Sequence, residues 1–83
     1  MALYANFKSY EGNLSGSETI DFPWNRAYGA IIMNDSSSTN LSYTLNGEMA
    51  TLKPTETISF AMQIKSLVLS ASGDVAYRVL LYG

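Results

Sequence analysis

The dipeptide Asn46-Gly47 lies between two short runs rich in Leu, Tyr and Thr, LSYTL (residues 41–45) and EMATL (48–52). A two-residue type I′ turn needs positive φ at both central positions, and Asn followed by Gly tolerates that best, so the pair predicts a β-hairpin. Such a turn also fixes the register. Leu45 then faces Glu48, Tyr43 faces Ala50 and Leu41 faces Leu52, which puts Leu41, Tyr43, Leu45, Ala50 and Leu52 on one face. Ser42, Thr44, Met49 and Thr51 fall on the other. A ribbon with one oily and one wetter face has to lie against another sheet to be stable in water.

The flanking sequence supplies the other strands. Ser17 to Phe22 alternates polar and apolar, with Ile20 and Phe22 on one face, and Pro23 ends that strand or marks an edge. Trp24, Asn25 and Arg26 read as a loop, and Tyr28 to Met33 (YGAIIM) as a strand buried on both faces. Asp35 to Asn40 is a polar loop. Thr57 to Met62 alternates with Ile58 and Phe60 inward, and Ser66 to Ala71 is another buried run. Ser72, Gly73 and Asp74 read as a turn before a last strand, Val75 to Tyr82. Short strands separated by regular turn signals predict an all-β fold, a small antiparallel β-sandwich of jelly-roll-like or Greek-key type.

Residues 1–12 form a separate aromatic segment. Leu3, Tyr4, Phe7 and Tyr10 suit one face of a short helix and equally an extended arm, with Glu11, Gly12 and Asn13 as a break before the sandwich of residues 13–83. The aromatic rings cover either an open end of the chain's own core or a neighbouring subunit. An internal echo suggests two halves related by an approximate two-fold. SETIDF (17–22) recurs as TETISF (55–60), and TNLSYTLNG (39–47) aligns with VAYRVLLYG (75–83), the spacings being 38 and 36 positions. Identities are few, and coincidence between two β-rich stretches is the competing explanation.

Composition narrows the function. The chain has 83 residues, a length that buries only roughly 60% of the surface its unfolded form exposes. There is no Cys to cross-link it, and 47% of its residues are hydrophobic against 14% charged. So oily a small chain favours coverage of apolar surface by another subunit, hence a homo-oligomer or a docked part. The net charge of −2, with Lys8, Arg26, Lys53, Lys65 and Arg78 scattered, argues against nucleic acid. No apolar run has the length of a membrane span. The N-terminal MALYANFKSY lacks a basic segment followed by an apolar core, so no secretory signal is expected, and the sequons at Asn13, Asn34 and Asn40 read as chance products of a Ser/Asn-rich chain.

Catalytic chemistry finds little to work with. The chain has no His, which excludes Ser-His-Asp and imidazole metal sites. Glu18 and Asp21 are spaced to point to opposite faces of a strand, and the loop after Asp35 lacks the acids of a calcium site. Ser15-Gly16-Ser17 is a turn and no phosphate cradle. A carboxylate pair of the glycosidase kind is the enzymatic arrangement left open. The expectation is therefore no enzyme, no cofactor and no metal. Aromatic residues are the remaining candidates: Trp24 and Tyr28 could stack on a sugar with Asn25 and Arg26 hydrogen-bonding it, or Trp24 could plug the core or anchor a subunit contact. Arg78, between Tyr77 and Val79, faces solvent or pairs across an interface.

The second part of the chain resembles small β-sandwich proteins of tailed phages. The resemblance rests on Asn34-Asp35 with its Ser/Thr loop, on LSYTLNGEMATLKPTETI, on Glu56, Ile58 and Phe60, on Ser70 to Gly73, on Tyr77-Arg78 and on Gly83. It covers roughly residues 34–83 and departs at Thr55, where the pattern carries Gly after Pro. It implies a non-enzymatic virion component, a capsid-decoration or tail-associated protein made in the host cytoplasm, with other virion proteins as partners. In that setting Tyr4, Phe7, Tyr10 and Trp24 are the expected interface anchors. The alternative is a small carbohydrate-binding module using Trp24, Asn25, Arg26 and Tyr28, with a glycan as ligand.

Overall fold

The computed structural model describes residues 7–22 and 26–83. Six strands follow in order: β1 (Phe7–Thr19), β2 (Gly29–Asn34), β3 (Leu41–Leu45), β4 (Glu48–Leu52), β5 (Thr57–Phe60) and β6 (Leu67–Tyr82). All pairings are antiparallel. The β3–β4 hairpin has the register that the Asn-Gly turn predicts, Leu45 opposite Glu48 and Leu41 opposite Leu52. Asn46 and Gly47 both have positive φ, at 52° and 89°.

The curl of the sheet comes from β6, which is long enough to serve two layers. Residues 67–70 pair with β3, and residues 68–71 with the second half of β1. Residues 77–82 pair with β2, and residues 75–82 with the first half of β1. One layer therefore runs β4, β3, early β6, late β1; the other runs β5, β2, late β6, early β1. Exchanging late β1 with β5, early β6 with β2, β3 with late β6 and β4 with early β1 maps every pairing of one layer onto the other, so the two halves are topologically equivalent. Aromatic contact joins the layers: the Tyr43 and Phe60 rings meet edge to face with centroids 5.8 Å apart.

Two expected breaks are absent. Ser72, Gly73 and Asp74 do not turn the chain; they form a bulge inside β6, where Leu14 pairs with Val75 but Gly16 with Ala71. A bulge and a turn draw on the same residue types, and a bulge lets one strand bend between layers without ending. Likewise, residues 7–12 are neither a helix nor a detached arm, because β1 runs unbroken from Phe7 through Gly12 and Asn13. Gly12 lies opposite Tyr77, and a Cβ there would meet the Tyr77 ring at 3.5 to 3.7 Å, so the aromatic ring covers the strand where it lacks a side chain. Tyr4 belongs to residues outside those described.

The core is apolar throughout. Ile32, Leu41, Ile64, Leu67, Leu69, Val79 and Leu81 are fully enclosed, and Ile58, Phe60, Phe22 and Tyr10 pack against them. The hairpin tip is tied down by the Asn46 side chain, whose Nδ2 donates to the Gln63 carbonyl (2.9 Å) and whose Oδ1 accepts from the Lys65 N–H (2.7 Å). An isolated bridge between Ala27 and Ile64 closes the same end.

Thr55 explains its departure from the phage pattern. The Glu56 N–H donates to the Lys53 carbonyl at 3.1 Å, and Thr55 has φ of 69°. That is the third position of a type II turn with Pro54 ahead of it, which glycine fills without strain. A β-branched residue in the left-handed region costs about 1–2 kcal/mol, partly offset by the greater freedom glycine has when unfolded. Thr55→Gly is therefore expected to stabilise the fold by about 1 kcal/mol in a urea titration. A loss of stability would refute the strained-turn reading.

Candidate functional site

Between the two layers the described side chains of Ile32, Leu41, Leu69, Val79 and Leu81 are fully buried. Among the described residues the buried polar side chain is Asn34, 1% exposed at the end of β2. Its groups are all used by backbone. Nδ2 donates to the carbonyls of Thr39 (2.9 Å) and Leu52 (3.1 Å), and Oδ1 accepts from the Ser36 N–H (2.9 Å). Asn34 thus holds the polar loop 35–40 and the end of β4 against β2. It is a structural clasp, both of its amide protons being taken by backbone carbonyls. Among the described residues no group of three or more acidic side chains is placed to hold a metal ion.

The ionisable groups lie at the rim. Arg78 faces outward, half exposed, and its guanidinium grips Asp35 with two hydrogen bonds, Nε at 2.7 Å and Nη2 at 3.1 Å. It is thus committed within its own chain. Tyr77 donates to Glu18 Oε2 at 2.5 Å. Burial, then the hydrogen bond to Glu18 and that carboxylate's charge, push the Tyr77 phenol up to about 12. The Tyr10 hydroxyl donates to the Asp21 carbonyl, and burial with the Asp21 charge raises its pKa as well. These contacts stitch β1 to its surroundings.

A second feature is a cleft of about 420 Å³ at the outer ends of the two layers. Tyr43, Leu45 and Ala50 of the hairpin form one wall, and Phe60 and Met62 the other; Glu48 and Asn46 stand at one end. Met49 and Met62 are 69% and 45% exposed there. Ala50 sits on the oily face of the hairpin, as its parity predicts, yet it is exposed because that face opens into the cleft. β4 and β5 are the outer strands of the sheet order, so both border the cleft with an edge that no other described strand covers.

The residues singled out from sequence do not converge here. Phe7, 59% exposed, sets its ring against Tyr82 at the start of β1, with centroids 5.6 Å apart. Tyr10 is half-buried three positions along the same strand. Arg26 and Tyr28 are exposed, whereas Trp24 and Asn25 lie outside the described residues. Met62 carries no motif, and the cleft residues Met49 and Phe60 and the clasp Asn34 entered the sequence reading only as strand, loop or resemblance positions and not as site residues. Their signal was indirect: a small Ala50 where the hairpin's oily face wants bulk, and an Asn heading a loop of hydroxyls.

None of the protein-family models and none of the curated proteins matches this sequence. Solved structures do resemble it. The cupin_2 domain of an XRE family transcriptional regulator from Enterobacter cloacae superposes with a TM-score of 0.67 at 20% identity, over 93% of this chain and 81% of that one. A cupin-2 domain containing protein from Shewanella frigidimarina gives 0.60 at 11% identity, over 95% and 72%. A de novo designed double-stranded β-helix gives 0.55 at 11% identity, over 90% and 96%. The natural ones among these are cupin domains and no virion parts, so they overturn the likeness to tailed-phage proteins, the capsid or tail role and the virion localisation drawn from it. The residues behind that likeness, Asn34, Asn46-Gly47 and Lys53-Pro54, serve local turn geometry, which any fold with these turns requires. The sugar-binding alternative gains no support from these neighbours either. The fold is thus a double-stranded β-helix, an architecture it shares with these solved structures.

Proposed function

We propose that the protein is a non-enzymatic double-stranded β-helix module that acts by association, assembling as a homo-oligomer without binding nucleic acid or inserting into a membrane. The observation that carries this reading is the filled interior. Where the fold offers a central chamber, Ile32, Leu41, Leu69, Val79 and Leu81 occupy it, so the working surfaces are external. Strand β1 is the best placed of these for self-association. It spans 13 residues, pairs among the described strands only with β6, on one side, and is exposed along nearly its whole length. A long open edge is a template for pairing with another chain. An isologous β1–β1 contact would place Phe7 of each subunit beside the seam.

Light scattering on a sizing column across a dilution series tests this. A mass of at least two chains at micromolar concentration is expected, shifting toward one chain in Phe7→Glu. A single-chain mass at every concentration overturns the reading.

A further inference from the structure

The cleft between β4 and β5 is independent of that β1 seam. We propose that it takes an extended peptide segment of a partner protein, added as a β-strand along the free edge of β4. In this arrangement alternate apolar side chains of the peptide rest on Tyr43, Phe60 and Met62, and a Lys or Arg at one end meets Glu48.

Three observations converge on an extended, partly basic peptide. The first is the backbone. In a two-residue hairpin the residues flanking the turn are hydrogen-bonded to each other, and bonded pairs then alternate. Leu45–Glu48, Tyr43–Ala50 and Leu41–Leu52 are therefore the bonded pairs, and the N–H and C=O groups of Met49 and Thr51 point outward. No described strand pairs with that side of β4. Strand addition satisfies such groups while pockets beside the edge select every second side chain.

The second is the wall chemistry. Three consecutive β4 residues, Glu48, Met49 and Ala50, line the cleft together with the edge-to-face Tyr43–Phe60 pair. An opening about 420 Å³ in volume is within the size range of ligand pockets. Two exposed methionines flank it, and unbranched thioether side chains adapt to varied apolar partners. The third is charge. Glu48 is the one ionisable acid or base among the cleft residues apart from the Tyr43 phenol, and the chain as a whole carries −2. A cationic residue at the Glu48 end is complementary, and an acidic one is repelled.

The test is selection of a phage-displayed random octapeptide library on the immobilised full chain, followed by titration of synthetic blocked peptides from enriched clones. Clones alternating apolar and polar residues, with Lys or Arg at one end, are expected. Thr51→Pro removes an outward N–H, a substitution edge strands accept, together with an exposed 3.4 Å hydroxyl contact to Ser42, and should weaken binding at least tenfold while the thermal midpoint stays close to the parent value. Glu48→Lys should reverse the preference for basic peptides. Failure to enrich any peptide overturns the proposal. So does enrichment of peptides that bind Thr51→Pro as tightly as the parent, which would mark the cleft as a site for side chains alone.

Discussion

Leu69→Ala is expected to lower the free energy of unfolding by about 3 kcal/mol in a urea titration, within the range for deleting a buried Leu side chain beyond Cβ. Leu69 is fully enclosed in early β6, the stretch where one strand holds Tyr43 of β3 on one side and Glu18 of β1 on the other. Its loss leaves a void that two strands cannot collapse into without giving up their own pairing. Domains of this size are stable by roughly 4–12 kcal/mol in total, so the variant forfeits a large share of that margin. The neighbouring Val68 points to the outer face with Thr44 and Thr19 as partners. Val68→Ala should cost less than about 1 kcal/mol, since strand preference is then most of what is lost. Equal losses at the two sites would contradict the assignment of faces to β6 and with it the two-layer architecture.

That architecture was legible in part. The hairpin could be read to the residue because Asn46-Gly47 sets register by backbone conformation, independent of anything distant. The inward face of β5 followed from the alternation of Ile58 and Phe60, whereas β2, expected to be buried on both faces, leaves Ile31 and Met33 only half-buried. The continuity of β1 and β6 was hidden. Gly12 and Gly73 look like punctuation, but the Tyr77 ring lies over Gly12, and Gly73 sits in a bulge 3.8 Å from the Thr39 methyl group. Both facts depend on residues far along the chain. The repeat of SETIDF as TETISF marked equivalent strands, late β1 and β5, yet their partners emerge only from the pairing of early β6 with one and β2 with the other.

The functional surfaces were less legible still, for a related reason. Open edges are properties of topology: β4 and β5 are outer strands only because β6 lies between β3 and β2. Nothing local to Met49 or Met62 says that these side chains flank a cleft. The phage likeness failed for the complementary reason. It was assembled from turn residues and from the strand residues around them, such as Ile58 and Phe60, whose identity reports local φ, hydrogen bonding and burial and carries no information about what the finished surface meets.

Asn34 shows how much such a turn residue can nonetheless weigh. Asn34→Ala is expected to destabilise the fold by about 3 kcal/mol, comparable to the loss of a core leucine, although the side chain removed is polar. Its deletion takes three hydrogen-bond partners from the backbone: the carbonyls of Thr39 and Leu52 and the N–H of Ser36. The Leu52 carbonyl lies in the buried part of the structure, where it keeps the Leu41 N–H across the hairpin but loses its second donor, and the emptied amide site adds a cavity. The Ser36 and Thr39 groups are part-buried and can recover water, so the total stays well below the sum of three fully buried losses. Asn34→Asp is the sharper comparison. It keeps size and the bond from Ser36 but replaces the donating amide with an ionised carboxylate beside two carbonyl oxygens. At pH 7 it should therefore be no more stable than Asn34→Ala, and acidification toward pH 4 should restore part of the loss as the carboxyl protonates and becomes a donor. The sign follows from linkage: carbonyl neighbours raise the acid's folded pKa above its unfolded value, so stability falls as pH rises between the two. Hydrogen exchange should localise the damage in either variant, with protection lost first at residues 35–40 and at the end of β4, where the clasp closes. Uniform loss across β3 and β6 instead would show that Asn34 supports the core as a whole and not the junction it bridges.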